Sequence, residues 1–446
     1  YYDHFKQMFV KAPTTNANLN IAGGTGKTDF ALSVSNNRQE ATIRDGGYYD
    51  RTNFTLNLGT ELAKGLTFRT ITQLAYSKNT TNSYIYGMFN ARPFVDLSQT
   101  NDEGYYSANT GSAAGVNAFN PYYISNYTKD NIETIDVIQN FNLNYKFPKF
   151  LELDTCYGLN FQRKEEEYSI VNQSNNATTY NVDGNGDEHV YGYWSGFVDD
   201  FTGEIQNFSD KKSFQNWVSK ATLNFDFAKD FGMSLPIKTS TMVLFDWRKN
   251  VDTYYTTYSQ GLPTYTPYNA SNAANFRTVG GWRAANTPYT GTVPFITYGY
   301  LVNQTLDFGD VAGISGGFRS DYSSAFGRGS KPFTFPRASG FFRFSGLDFW
   351  DNSGVSRILL EAKLRAAYGE AGNQPFAFDR QQTLGARVIG GSPTFVYPTT
   401  FANPDLSVEV SKEFECGTDR VFNVLDETPW LNDSALSITY AKRTTE

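Results

Sequence analysis

Long segments of this chain alternate between apolar and polar side chains. The clearest example is the segment 216–227. Its alternation places one set of side chains on one face, Trp217, Ser219, Ala221, Leu223, Phe225 and Phe227, and the other set on the opposite face, Asn216, Val218, Lys220, Thr222, Asn224 and Asp226. A period of two residues is the geometry of a β-strand. The alternating segments run about 10 to 16 residues, which exceeds the ~5–6 residues usual in globular strands. About 9–11 tilted residues are enough to cross a bilayer.

The connections between the predicted strands, about fourteen in number, alternate in length. Tight turns are expected near 24–27, 61–66, 147–150, 228–235 and 308–311. Long connections are expected near 37–51, 78–133, 167–213, 256–293 and 370–407, whereas the 326–335 connection is short. Short turns at one end and long loops at the other are typical of membrane barrels. The predicted fold class is therefore an all-β, transmembrane antiparallel β-barrel with long extracellular loops and short periplasmic turns.

Composition narrows the classes of function. Aromatic residues reach 16% and charged residues only 19%, against about 25% charged in soluble domains. The net charge of −7, without any basic run, argues against a nucleic-acid partner. Two cysteines and two histidines argue against a disulfide scaffold and a histidine-rich metal site.

The segment around Gly26-Lys27-Thr28 resembles the end of a phosphate-binding loop. That loop needs a glycine five residues earlier and a helix immediately afterwards. Ile21 occupies the earlier position, and the residues that follow alternate as a strand does. The sequence therefore predicts a hairpin turn here, and no cofactor is expected.

Two acidic segments are candidate sites. Glu165 and Glu166 are adjacent in a predicted strand, so they point to opposite faces and cannot form the carboxylate pair of a glycosidase. No enzymatic activity is expected. A second segment has calcium-loop spacing, but it lacks the glycine and glutamate of an EF-hand, and a solvated loop tip is the favoured interpretation, with calcium in another geometry as the alternative. Its candidate ligands are Asp183, Asn185 and Asp187.

Aromatic side chains cluster in the long connections. Such rings can stack on sugars or contact peptides and partner proteins, although they can equally pack the loops against each other. The candidate ligand or partner contacts are Tyr105, Tyr106, Tyr122, Tyr123, Tyr191, Tyr193, Trp194 and Trp282.

Four segments, in order along the chain, resemble the SusC/RagA-type TonB-dependent outer-membrane transporters. They are the glycine-turn hairpin at 18–37, the Arg-Ser-Asp-Tyr-Ser-Ser hairpin within 316–345, the Tyr-Gly and Gly-Asn strand at 364–376, and the Asn-Pro-Asp-Leu hairpin at 403–422. Ser407, Val408 and Glu409 depart from the family pattern. These motifs lie toward both ends of the chain, and between about 80 and 315 only the alternating strand pattern supports the resemblance.

The resemblance implies that residues 1–446 form part of a 22-stranded barrel, without the family's plug domain and last strands. It implies import of oligosaccharides or peptides across the outer membrane of a Gram-negative bacterium, in the manner of Bacteroidetes glycan and peptide transport. The implied partners are a SusD-like surface lipoprotein, the TonB complex acting through the plug, and outer-membrane lipid. The implied cavity lining is Glu152, Asp154, Lys220, Asn224 and Asp226.

Two alternatives stay open at this point. The first is a barrel of the same family that serves as a scaffold in a secretion or motility complex. The second is a soluble, aromatic-rich, all-β glycan-binding protein, because a soluble sandwich also alternates.

Overall fold

A computed structural model describes most of the chain and consists mainly of one antiparallel sheet. The described residues are 1–81, 89, 91–100, 106, 120–172, 203–263, 267–273, 275–277, 290–326, 331–381, 384–390, 392–397, 401–403, 405–423 and 434–446. Fourteen strands pair in chain order, and one short strand adds to the side of this path. The all-β, antiparallel prediction is confirmed.

The strands of the first half are β1 (Thr14–Gly24), β2 (Thr28–Glu40), β3 (Gly47–Ala63), β4 (Leu66–Thr81), β5 (Thr128–Lys146), β6 (Leu151–Ile170), β7 (Glu204–Asp226) and β8 (Ile237–Gln260). The remaining strands are β9 (Asn275–Arg277), β10 (Thr290–Phe308), β11 (Ala312–Ser323), β12 (Phe333–Arg343), β13 (Leu359–Asn373), β14 (Gly385–Ile389), β15 (Ser392–Val396), β16 (Glu409–Phe422) and β17 (Ser434–Thr445). The short β9 pairs with β8, and β14 pairs only with β15.

Short helices lie before β1 and within three of the connections, and the alternating pattern did not predict them. They are α1 (His4–Met8), α2 (Pro121–Tyr127), α3 (Phe227–Phe231) and α4 (Asp348–Asp351). Assigning Phe227 to a strand face was wrong, because the Asp226 side chain accepts a hydrogen bond from the Lys229 backbone amide and starts α3 there. Within the described ranges, no helix has the length and apolar character needed to cross a membrane.

The strand register joins like faces across the whole sheet. Side chains of directly paired residues in an antiparallel sheet lie on the same side, and apolar residues pair with apolar residues from strand to strand. One row, for example, contains Phe141, Tyr157, Trp217, Trp247, Tyr298 and Tyr322. We call the side that carries this row the apolar face and the opposite side the polar face.

The two ends of the sheet differ in their connections. Turns at 25–27, 64–65, 147–150 and 309–311 lie at one end, which we call the turn end. The opposite end, the loop end, carries the connections 82–127, 171–203, 261–289 and 374–408. The predicted long connections at 78–133, 167–213, 256–293 and 370–407 are confirmed, but the one predicted near 37–51 is wrong, because β2 extends to Glu40 and β3 begins at Gly47, which leaves only the short connection 41–46. This short connection and the one at 324–332 both lie at the loop end.

The apolar face is exposed. Trp217, Leu223 and Val243 keep 47%, 38% and 47% of their surface accessible. In the parts of the chain that are described, the buried hydrophobic cluster lies at the loop end, around Met8 and Leu97. The sheet therefore presents a broad apolar surface instead of enclosing one.

Candidate functional site

The polar face carries the predicted cavity lining. Lys220 on β7 lies opposite Asp154 on β6, with Nζ 3.6 Å from Oδ2. Glu152 accepts a hydrogen bond from Asn144 at 2.9 Å, and Asp226 lies 3.9 Å from Lys238. The register places all of these side chains on one face, together with Asn224. This grouping on one face follows the prediction.

A charged network crosses β8, β10 and β11 on the polar face. Arg319 holds Asp321 through Nε at 2.8 Å and Asp246 through Nη2 at 3.0 Å. Arg248 adds a second ion pair to Asp246 at 2.9 Å. Gly299 stands in register between the two aspartates, and a side chain there would overlap Asp321. The missing side chain therefore opens the space that the Arg319 guanidinium occupies.

The same arrangement recurs between β2 and β4. Gly59 on β3 lies in register between Asp29 and Arg69, and Arg69 Nη2 reaches across it to Asp29 Oδ1 at 2.8 Å. A second hydrogen bond joins Arg69 Nη1 to Asn57 at 2.6 Å. In both places an arginine ties strands that are not direct neighbours.

Toward the loop end, β7 and β8 bury polar groups. Glu204 is only 2% exposed and accepts a hydrogen bond from the Tyr258 hydroxyl at 2.5 Å. Asp210 pairs with Lys212 at 2.8 Å. These groups on the polar face are thus held by a hydroxyl or by an opposite charge.

The acidic segments provide no catalytic pair. Glu165 pairs with Arg163, and Glu166 pairs with Lys164 at 2.9 Å on the opposite face, as alternation requires. Among the residues that the structure describes, no three His, Cys, Asp or Glu side chains group as metal ligands. The possible calcium ligands Asp183, Asn185 and Asp187 lie outside those residues.

Two of the candidate aromatic contacts pack against each other at the loop end. Tyr106 stacks on Tyr122 with ring centroids 5.6 Å apart, and Tyr122 is 8% exposed beside Met8 and Leu97. Burial raises the pKa of the Tyr122 hydroxyl. Packing of the loops against each other was the alternative to ligand contact in the sequence analysis, and these two rings show such packing. Their contact with a ligand stays a prediction.

The other candidate contacts lie outside the described part of the chain. These are Tyr105, Tyr191, Tyr193, Trp194 and Trp282, together with the side chain of Tyr123. Ligand or partner contact by these residues also stays a prediction.

The sequence analysis did not predict that the N-terminal segment packs into the buried cluster of Met8, Leu97 and Tyr122 at the loop end. In α1, His4 Nε2 lies 3.1 Å from the Arg92 carbonyl. Asp96 accepts hydrogen bonds from the Ser98 hydroxyl and from Gln7, and the Ser98 hydroxyl is the main cause that lowers the pKa of Asp96. The local signals were Asp3, which caps α1 by accepting from the Lys6 amide at 3.0 Å, and the Asp-Leu-Ser turn at 96–98.

Comparison with known proteins supports the fold. No protein-family model and no curated protein matches the chain by sequence. Among solved structures, a chain of the RagAB peptide importer in its open-open state matches with a TM-score of 0.73 at 16% identity, over 100% of this chain and 45% of that one. A chain of the RagAB peptide transporter matches with a TM-score of 0.72 at 15% identity, over 100% and 46%. The chain thus spans less than half the length of these solved chains, and over its whole length its fold is similar to the part of them that it matches.

Proposed function

We propose that this chain is part of an outer-membrane barrel that imports peptides or oligosaccharides in a TonB-dependent manner. The observation that carries the proposal is the separation of the two sheet faces. An exposed apolar face on one side and a wall of ion pairs on the other fit a barrel with lipid outside and a polar lumen inside.

The polar groups of the apolar face support a lipid environment. Gln139 is hydrogen-bonded at both ends of its amide, accepting from Thr72 at 2.6 Å and donating to Thr70 at 2.6 Å. The Trp217 indole donates to Ser219 at 3.0 Å. Lipid offers no hydrogen-bond partners, so polar side chains on a lipid-facing surface must satisfy each other. A soluble glycan-binding protein has no need for this.

Two observations support the proposed substrate class: the names of the matched solved structures and the side chains of the polar face. Two of the matched structures are named as a peptide importer and a peptide transporter, so peptides are the first substrates to test. Oligosaccharides are the second, because hydroxyl, amide and paired-charge groups of the polar face can hydrogen-bond to either. A SusD-like surface lipoprotein is proposed at the loop end, and the TonB complex at the turn end. Residues 1–446 as a whole are proposed to belong to the barrel.

Uptake by cells tests the function directly. Cells that carry the full-length protein should accumulate a fluorescent mixed peptide library faster than a deletion strain, and collapse of the proton gradient should abolish the difference. A parallel assay with labelled oligosaccharides tests the second class. If deletion leaves the uptake of peptides and of oligosaccharides unchanged but disrupts secretion or motility, the scaffold alternative is favoured instead.

A further inference from the structure

The connection between β13 and β16 carries a hairpin that is separate from the main sheet. Its strands β14 and β15 have five residues each and pair antiparallel. Gly390 between them has a φ of 59°, as the tight turns of hairpins require. Within the part of the chain that the structure describes, neither strand pairs with a third one. Both outer edges of the hairpin are therefore edges of a sheet.

The base of this connection is attached to the loop end of the main sheet. Before β14, Arg380 donates a hydrogen bond from Nη1 to the carbonyl of Phe326, which follows β11. After β15, Val408 is 7% exposed and lies against Gly372 of β13. The hairpin thus extends from two attached arms on the side of the membrane that the proposed topology places outside the cell, where a substrate arrives first.

Pro393 on β15 determines which backbone groups of β14 face outward. Directly opposed residues of an antiparallel pair alternate between two mutual hydrogen bonds and none. Val388 lies opposite Pro393, and a proline has no amide hydrogen to donate, so this pair is one without mutual hydrogen bonds. The amide and carbonyl of Val388 therefore point away from β15, and by the same alternation so do those of Ala386.

The two edges of the hairpin consequently differ. The β14 edge, which we call the open edge, presents both an amide and a carbonyl at Ala386 and again at Val388. The β15 edge presents Pro393, which lacks the donor, and proline is one of the residues that keep an edge from pairing. An edge with its donors and acceptors unpaired is a template for another extended chain. Only the open edge has the complete set.

We propose that the open edge of β14 captures an extended peptide by strand addition before import. The inference rests on the proposed function, since it takes peptides as the substrate. An oligosaccharide does not fit this edge, because only a polypeptide repeats amide donors and carbonyl acceptors at the spacing of a strand. Main-chain hydrogen bonds supply affinity without reading side chains, which suits uptake of peptides of mixed sequence. An added strand also stabilises the hairpin, because two strands alone are marginal in water.

Binding of one defined peptide tests the proposal. Fluorescein-labelled Lys-Val-Thr-Val-Thr-Val-Lys is titrated into the full-length protein in detergent, and fluorescence anisotropy gives the Kd. Val388→Pro removes an outward amide and leaves the pairing with β15 possible, because Pro393 already occupies the opposed position. The variant should weaken the Kd about tenfold or more, since a carbonyl of the bound peptide loses its donor. Val388→Thr keeps the amide and is the matched control, with the Kd of the wild type.

Hydrogen exchange at single-residue resolution identifies the mode of binding. Bound peptide should slow exchange most at the amides of Ala386 and Val388, which face the open edge. The amides of Arg387 and Ile389 face β15 and are protected before the peptide binds, so they should change less. Without peptide, Val388→Pro should keep the wild-type exchange at Arg387 and Ile389, which verifies that the hairpin is intact in the variant.

The contrary outcomes have different meanings. A wild-type Kd in Val388→Pro, or equal slowing at all four amides, would overturn strand addition and leave peptide import standing. A wild type that imports peptides but does not bind this one would overturn it too, because main-chain pairing is independent of sequence.

A protein partner on the hairpin is tested through Phe395, a β15 ring that is 72% exposed. Loss of the surface lipoprotein from the purified complex in Phe395→Ala, with unchanged peptide binding in Val388→Pro, would assign the hairpin to that partner and overturn the proposal. A full-length protein that neither binds nor imports peptides would contradict the proposed function itself.

Discussion

Arg319 on β11 reaches across Gly299 on β10 and donates to Asp246 on β8, with Nη2 3.0 Å from Oδ2. The Asp246 side chain is only 5% exposed, so this ion pair is shielded from water more than a surface pair. Such pairs matter most when a partner is lost, because a buried charge is then left uncompensated. The ion pair between β11 and β8 therefore depends on Gly299 of β10, which has no side chain to block it.

Adding a methyl group at Gly299 should break this contact. A Cβ there overlaps Asp321 and crowds Arg319, so Gly299→Ala is expected to lower the free energy of unfolding by about 1–3 kcal/mol, the usual cost of overpacking. Urea unfolding of the purified protein in detergent measures the cost. Gly316→Ala is the control, because nothing lies within 4 Å of a Cβ at that position on the neighbouring strand. Equal costs for the two variants would contradict the role assigned to Gly299.

Arginine substitutions should cost most in the middle of the apolar face. Val243 lies midway along the apolar part of β8, between Ile237 and Trp247, so Val243→Arg should destabilise the barrel by about 2–4 kcal/mol. Leu223 lies three residues before the end of β7 at Asp226, where Arg can reach the interface. The Leu223→Arg cost should therefore be smaller, about 0–1 kcal/mol.

Asn224→Arg on the polar face is the control for these variants and should be mild. The costs are measured by reversible unfolding from lipid vesicles. A larger cost at Asn224 than at Val243 would mean that the two faces are assigned the wrong way round.

Spin labels should report the alternation directly. Labels at Leu223 and Phe225 are expected to be relaxed by oxygen, which concentrates in lipid, and labels at Thr222 and Asn224 by a water-soluble nickel complex. The physical reason is the period of two in strand geometry. Electron paramagnetic resonance of single-label variants in bilayers gives the ratio for each site. The same accessibility at all four sites would contradict the assignment of the two faces at this end of β7.

The two ends of the sheet should lie on opposite sides of the membrane. Epitope tags at Asn109, Asn175 and Ser271, all in loop-end connections, are expected to bind antibody on intact cells. Tags at Lys149 and Gly309, in turn-end connections, should bind only after the outer membrane is opened. Because consecutive strands pair antiparallel in chain order, all loop-end connections must lie on one side of the membrane and all turn-end connections on the other. A reversed pattern would invert the orientation, and a mixed pattern would contradict the barrel.

Substitution at Tyr122 separates packing from ligand contact. Removal of a buried ring typically costs about 3–5 kcal/mol, so Tyr122→Ala should loosen the contact of α1 with residues 91–98. Hydrogen exchange of the α1 amides measures this. Tyr122→Phe keeps the ring and should preserve protection, because the hydroxyl lies at the limit of hydrogen bonding to the Gln7 carbonyl, at 3.5 Å. Unchanged protection in Tyr122→Ala, together with lost uptake, would favour ligand contact.

Much of the fold could be predicted because its signals are local. The alternation around Leu223 determined which residues share a face, and the glycine turn at 24–27 determined where a hairpin reverses. Both depend on residues within a few positions of each other. Even there, the capping aspartate at 226 competed with the alternating pattern and turned Phe227 into the start of a helix.

Only the tertiary structure decided which distant residues meet. Asp246 and Arg319 are brought together by the registers of β10 with β8 and β11, and Tyr122 packs near Met8 because the N-terminal segment folds onto the loop end. A period of two assigns each residue to a face but not to a partner, since a shift of register by two residues preserves the pattern and changes every contact. The sequence by itself therefore determined the two faces and the two ends of the sheet, whereas the charged network and the loop-end cluster depended on register and long-range packing.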